Sequence, residues 1–139
     1  MESSKGNKLK DSQDDQVLLG RNILVVDDVK INYLLIRAML LKTGAQIIWA
    51  ENGMKALEIV ASEPCVDLIL MDYNMPEMNG LETTVKIKEM KPNLPVVSQS
   101  TFTDSRHFDR TNAPFDAYLT KPIMADNLIK EINKLIQQP

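Results

Sequence analysis

Four short stretches of this chain end in residues that could do chemistry together. Ile23-Leu24-Val25-Val26 is an apolar run of strand length, and two carboxylates, Asp27 and Asp28, follow it directly. Val66-Asp67-Leu68-Ile69-Leu70-Met71 ends at Asp72, and Pro76 and Gly80 beyond it mark a loop. Pro95-Val96-Val97-Ser98-Gln99 runs into Ser100, and Ala117-Tyr118-Leu119-Thr120 runs into Lys121-Pro122. Singly, each has a plain reading: Asp72 caps a turn, Ser100 caps a strand end, and Lys121 is a surface lysine. In an open parallel sheet, however, ligands bind beyond the carboxyl ends of the strands, and there these residues fall on one edge. Three acids and one ammonium on one edge suit a divalent cation and an incoming phosphoryl group, the ammonium acting as a point charge on phosphate oxygen. Mg²⁺ is the expected ion, because it is held by one or two carboxylates with water and phosphate oxygen, without a full protein cage. Without a cation, crowding would raise the pKa of at least one of the acids.

These residues resemble a receiver domain of two-component signalling, the module that takes a phosphoryl group from a histidine kinase onto an aspartate. The resemblance rests on Asp27-Asp28, on Asp72-Tyr73-Asn74-Met75-Pro76-Glu77-Met78-Asn79-Gly80, on Ser100 and on Lys121-Pro122, in order and at domain spacing. It implies that Asp72 is the phosphoacceptor and attacks a phosphohistidine in line. It further implies that Asp28 and Asp72 contact Mg²⁺, that Asp27 assists directly or through water, and that the main-chain carbonyl of Asn74 completes the set. Lys121 would compensate phosphoryl charge, Ser100 would hydrogen-bond a phosphoryl oxygen, and Tyr118 would change rotamer as the domain switches. The Lys121-Pro122 peptide is expected to be cis. The implied partner is a histidine kinase or a histidine phosphotransfer domain, and a homodimer through the fourth helix and fifth strand stays open.

Asn32, four residues beyond the acid pair, and a polar leader resemble receivers of hybrid histidine kinases more than those of transcriptional regulators. No helix-turn-helix is legible, so the alternative context is a stand-alone relay regulator. On this resemblance the domain assists its own phosphorylation and dephosphorylation, and a longer parent chain could be a histidine kinase. Phe102 departs from the small or polar types common in the family and is expected to hinder an attacking water, and Thr101, where the family often has alanine, is expected to narrow the entry further. The rival class is a Mg²⁺-dependent phosphohydrolase with an aspartate nucleophile. Such enzymes usually carry a second carboxylate two residues on, where this chain has Asn74.

The elements that must position these residues alternate between apolar runs and helical periodicity, the signature of a parallel sheet with crossover helices. Strands are expected at about 23–26, 46–50, 67–71, 96–100 and 117–119. Helices are expected at about 31–43, 54–61, 81–90, 103–112 and 124–137. The first would bury Ile31, Leu34, Leu35, Ala38 and Leu41 and stop at Gly44. The second would bury Ala56, Leu57, Val60 and Ala61, and the last Leu128, Ile132, Leu135 and Ile136. The fourth carries only Phe108 as a large apolar residue over residues 106–112 and is expected to be short and movable. Right-handed crossovers give an α/β fold: a flavodoxin-like, doubly wound, five-stranded parallel sheet of order 2-1-3-4-5 with five helices. Residues 1–20 read as a polar leader or linker, and 21–139 as the domain.

Composition narrows the class further. The 139 residues carry a net charge of −3, which speaks against a nucleic-acid surface. With 44% hydrophobic and 25% charged residues, the make-up is that of an ordinary globular domain. Cys65 stands alone, so no internal disulfide forms, and it is expected to be a small packing residue. No stretch has the length of a membrane span, and the first residues lack a signal-peptide core, so a cytoplasmic location without direct membrane contact is expected. His107, in a polar segment, reads as a surface residue.

Overall fold

The computed structural model describes residues 15–62, 65–101 and 113–136. In chain order the elements are β1 (Asn22–Val26), α1 (Lys30–Leu40) with a 3₁₀ turn (Leu41–Thr43), β2 (Gln46–Ala50), α2 (Gly53–Ser62) and β3 (Leu68–Asp72). Then follow α3 (Gly80–Met90), β4 (Val96–Ser100), β5 (Ala117–Thr120) and α4 (Ala125–Ile136). All strand pairs are parallel, in the order β2-β1-β3-β4-β5. This is the expected doubly wound sheet. Four helices lie among the described residues, and the fourth expected one, at 103–112, lies outside them, as do Phe102, Phe108 and His107.

β1 and β3 are apolar along nearly their whole length because both faces are covered, whereas β4 carries Ser98, Gln99 and Ser100 after Val96 and Val97. Ile23, Val25, Leu68, Leu70, Val97 and Leu119 form one core with Ile36 and Leu40 of α1 and Leu128, Ile129 and Ile132 of α4. Leu24, Val26, Ile69, Met71 and Val96 form the other, with Ala56 and Val60 of α2 and Ile87 of α3. Gly44, at φ 81°, ends the 3₁₀ turn in the left-handed region where a glycine has no steric cost. Asn79 caps α3, its Oδ1 accepting from the Glu82 N–H at 2.9 Å.

Four expectations about packing are corrected. The stripe assigned to the buried side of α1 faces outward: Ile31 is 58% exposed, Leu35 52% and Leu41 75%, while Ile36 and Leu40 take the core positions. Residues just before 21 also pack on the domain. Leu18 is fully buried in the α1 and α4 core, and the N–H groups of Gln16 and Leu18 donate to the carbonyls of Lys42 and Thr43, both at 2.8 Å. In α2, Leu57 is half-buried and Ala61 exposed, so the apolar stripe is narrower than read. Cys65 is exposed, not packed.

Candidate functional site

β1 and β3 are neighbours and run in register, Val26 opposite Met71, so the residues that leave their carboxyl ends meet. Asp27 is fully buried, and its N–H extends the sheet by one bond to the Ala50 carbonyl at 3.1 Å. Its Oδ1 accepts from the Val29 N–H at 2.9 Å and from Asn32 Nδ2 at 3.3 Å. Its Oδ2 is buried with no hydrogen-bond partner. Asp28 is exposed beside it, and Asp72, the last residue of β3, is 3% exposed. Asp27, Asp28 and Asp72 each offer one carboxylate oxygen within 4.8 Å of the others.

Lys121 closes the constellation. Its N–H donates to the Ser100 carbonyl at 2.8 Å, which hangs the β5 end on the β4 end, and the Lys121-Pro122 peptide is cis as expected. Lys121 Nζ donates to Asp72 Oδ1 at 2.9 Å. Ser100 is buried at the end of β4, and Tyr118 is half-buried, its ring edge-on to Phe115 at 5.8 Å between centroids. Asn74 lies two residues past Asp72 with its side chain exposed. The structure thus brings together Asp27, Asp28, Asp72 and Lys121 by side chain, and Ser100 by its main chain.

The electrostatics follow from burial. Burial pushes the Asp27 carboxyl above its ordinary range, against the pull of the Val29 N–H, the Lys121 charge and the Asn32 amide. Burial likewise pushes Asp72 up to about 6, with the Asp27 and Asp28 charges adding to it and the Lys121 hydrogen bond opposing it. Such crowding is relieved by a cation. A buried carboxylate oxygen with no donor, as at Asp27 Oδ2, is costly unless a positive charge meets it. The donor set, all carboxylate oxygen, fits a hard divalent ion.

Three contributors were not singled out for a site role from the sequence. Asn32, noted only for its spacing, holds Asp27. Trp49 donates its indole N–H to the Asp27 main-chain carbonyl at 2.9 Å. An aromatic in a strand signals packing, so nothing in its pattern announced this contact. Gln99 pairs with Asp72 in the sheet register and is buried, with Nε2 unpartnered.

The family model of the response regulator receiver domain matches residues 23–133. Histidine kinase 3 of Arabidopsis thaliana is 30% identical over 88% of this chain, which spans only 14% of that kinase. The chemotaxis protein CheY of Bacillus subtilis is 32% identical over 85% of this chain and 99% of its own length. Among solved structures, the receiver domain of a sensor histidine kinase from Pseudomonas aeruginosa, determined with a magnesium ion coordinated in the active site cleft, aligns with a TM-score of 0.77. It is 25% identical and covers 86% of this chain and 99% of that one.

Proposed function

The chain belongs to the response regulator receiver domain family of two-component signalling, and on that premise we propose that it accepts a phosphoryl group on Asp72. The observation that carries this reading is the convergence of Asp27, Asp28, Asp72 and Lys121 on one cleft. A carboxylate oxygen of Asp72 attacks the phosphorus of a phosphohistidine in line. The new P–O bond forms as the P–N bond breaks, and the imidazole leaves with the bonding pair. Little covalent work falls to the protein in such a transfer, which is mostly positioning and charge neutralisation.

Mg²⁺ held by Asp27, Asp28, Asp72 and the Asn74 carbonyl would supply the positive charge that lets three carboxylates and a phosphoryl group share one site. Lys121 exchanges its Asp72 oxygen for a phosphoryl oxygen and compensates the charge from the other side. Ser100 hydrogen-bonds the phosphoryl group in the product, and Tyr118 follows it inward. That movement would make the β4 end and β5 the switching face, through which two copies could pair.

The donor is a histidine kinase or histidine phosphotransfer domain, most simply within a hybrid kinase system, in keeping with the kinases to which the chain is similar. The outward apolar stripe of α1, next to the acid pair, offers such a donor a docking surface. Among the described residues no helix is long and apolar enough to cross a membrane, and the reading places the transfer in the cytoplasm. The receiver unit would run from about residue 15, because Leu18 belongs to its core. Incubation with acetyl phosphate and Mg²⁺ tests the reading. A lasting adduct on Asp72, absent from Asp72→Asn, is expected; steady turnover of the donor without an adduct would favour a hydrolase instead.

A further inference from the structure

We propose that Trp49 is a positioning residue for the metal-binding acids: its indole grips the peptide between Asp27 and Asp28 and sets the bearing of both carboxylates. This rests on the receiver reading given above. Trp49 is the chain's single tryptophan, on the edge strand β2, and its Nε1 donates to the Asp27 carbonyl oxygen at 2.9 Å. That oxygen belongs to the peptide unit that joins the two acids. Fixing a planar unit at its oxygen constrains its rotation, and the side chains on either side turn with it.

The grip has a second anchor and a brace. The Asp27 N–H is held by the Ala50 carbonyl at 3.1 Å, so both main-chain groups of Asp27 are tied to the last two residues of β2, one beyond the β1 ladder. The Trp49 ring is itself braced, because Tyr33 of α1 stacks on it with centroids 5.2 Å apart and planes 10° from parallel. The brace links the helix that follows the acid loop to the strand that holds it. Asn32, one residue before Tyr33, bonds the Asp27 side chain at 3.3 Å. Asp27 is therefore held through its N–H, its carbonyl and its Oδ1, leaving Oδ2 as the atom with no partner.

Three carboxylates facing one another repel and would splay a loose loop. A preformed arrangement spares the ion the cost of gathering its ligands. Losing the indole donor should therefore appear as weaker ion binding, with transfer chemistry restored once the ion saturates.

The test uses the whole chain and magnesium chloride at constant ionic strength. In the parent, Trp49 emission is followed against Mg²⁺ and compared with calorimetric binding. Trp49→Phe keeps a ring against Tyr33 and loses the donor, and Tyr33→Leu keeps the donor and loses the brace. The expected results are a saturable change in parent emission that tracks the heat, and Mg²⁺ affinity about threefold to tenfold lower in Trp49→Phe, the range one hydrogen bond commands. Labelling by acetyl phosphate should fall at low Mg²⁺ and recover at saturating Mg²⁺ in a variant whose circular dichroism in EDTA matches the parent's, which separates lost positioning from a partly unfolded chain that the ion refolds. Tyr33→Leu should shift affinity in the same direction by less, and decides the matter if Trp49→Phe does not fold in EDTA. Parent-like affinity in the folded variant, or flat parent emission through saturation, overturns the proposal. A parent that binds no Mg²⁺ and takes no label overturns the receiver reading first, and this one with it.

Discussion

Replacing Asp72 by Asn should stabilise the metal-free protein, in a manner that depends on pH. Burial raises the Asp72 carboxyl from the ordinary 3.8 to about 6, so the folded state holds its proton more tightly than the unfolded chain does. The sign follows from that difference: stability from this group is fully present below pH 3.8 and is lost as pH rises through 6. Integrated over that interval, ionising Asp72 costs the fold about 3 kcal/mol. An amide at 72 has the same shape and does not ionise. Asp72→Asn should then gain about 1.5 kcal/mol over the parent near pH 5 and about 3 kcal/mol at pH 8. Urea unfolding in EDTA at several pH values measures this, and with a slope of about 2 kcal/mol/M the midpoint at pH 8 should rise by roughly 1.5 M. Adding Mg²⁺ should stabilise the parent more than the mutant and narrow the gap. Equal midpoints at pH 8, or a gain that does not vary with pH, would refute the reasoning that Asp72 is held ionised at a cost.

Four further outcomes are expected. At limiting Mg²⁺, labelling by acetyl phosphate should fall as pH drops below about 6, because protonated Asp72 is not a nucleophile, and saturating Mg²⁺ should move that fall to lower pH; rate against pH at two ion concentrations checks it. Leu18→Ala should cost about 2 to 5 kcal/mol in urea unfolding although residue 18 lies before the matched span of 23–133, since it empties a fully buried site. Gly80→Ala should cost about 2 kcal/mol or more and depress labelling, because an added methyl meets the main chain of Asp72 and Tyr73, which cannot yield as a side chain would. Leu35→Asp, on the exposed stripe of α1, should leave stability nearly unchanged and slow transfer from a phosphorylated histidine donor about tenfold while acetyl phosphate labelling is unaffected; paired kinetics with the two donors test it.

The parts that were legible in the sequence share a cause. β1 and β3 are apolar runs because both sheet faces are covered, and the ends of these strands and of β4 bring Asp27, Asp72 and Ser100 to one edge. Residues 15–20 were misread because Val17, Leu18 and Leu19 are too few to show a period. Only docking against the α1 end and Gly44 reveals that Leu18 is core while Leu19 is 68% exposed. Trp49 escaped notice because its site role runs through a main-chain oxygen, which has no letter in the sequence.

The misplaced stripe of α1 shows what competes with hydrophobic periodicity near a site. Two faces of that helix carry apolar residues: Ile31, Leu34, Leu35 and Ala38 on the richer one, Tyr33, Ile36 and Leu40 on the other. Counting apolar residues selects the first. The helix, however, begins directly after the acid pair, and Asp27 Oδ1 takes both the Val29 N–H and the Asn32 amide. Satisfying a buried carboxylate fixes the rotation of the first turn, since leaving those bonds unmade costs more than one exposed leucine gains on burial. With Asn32 turned to the site, positions four and eight residues on, Ile36 and Leu40, must fall on the sheet. The richer stripe is thereby left in water beside the acids, and on the function proposed above it is the surface a phosphoryl donor would meet on its way to Asp72.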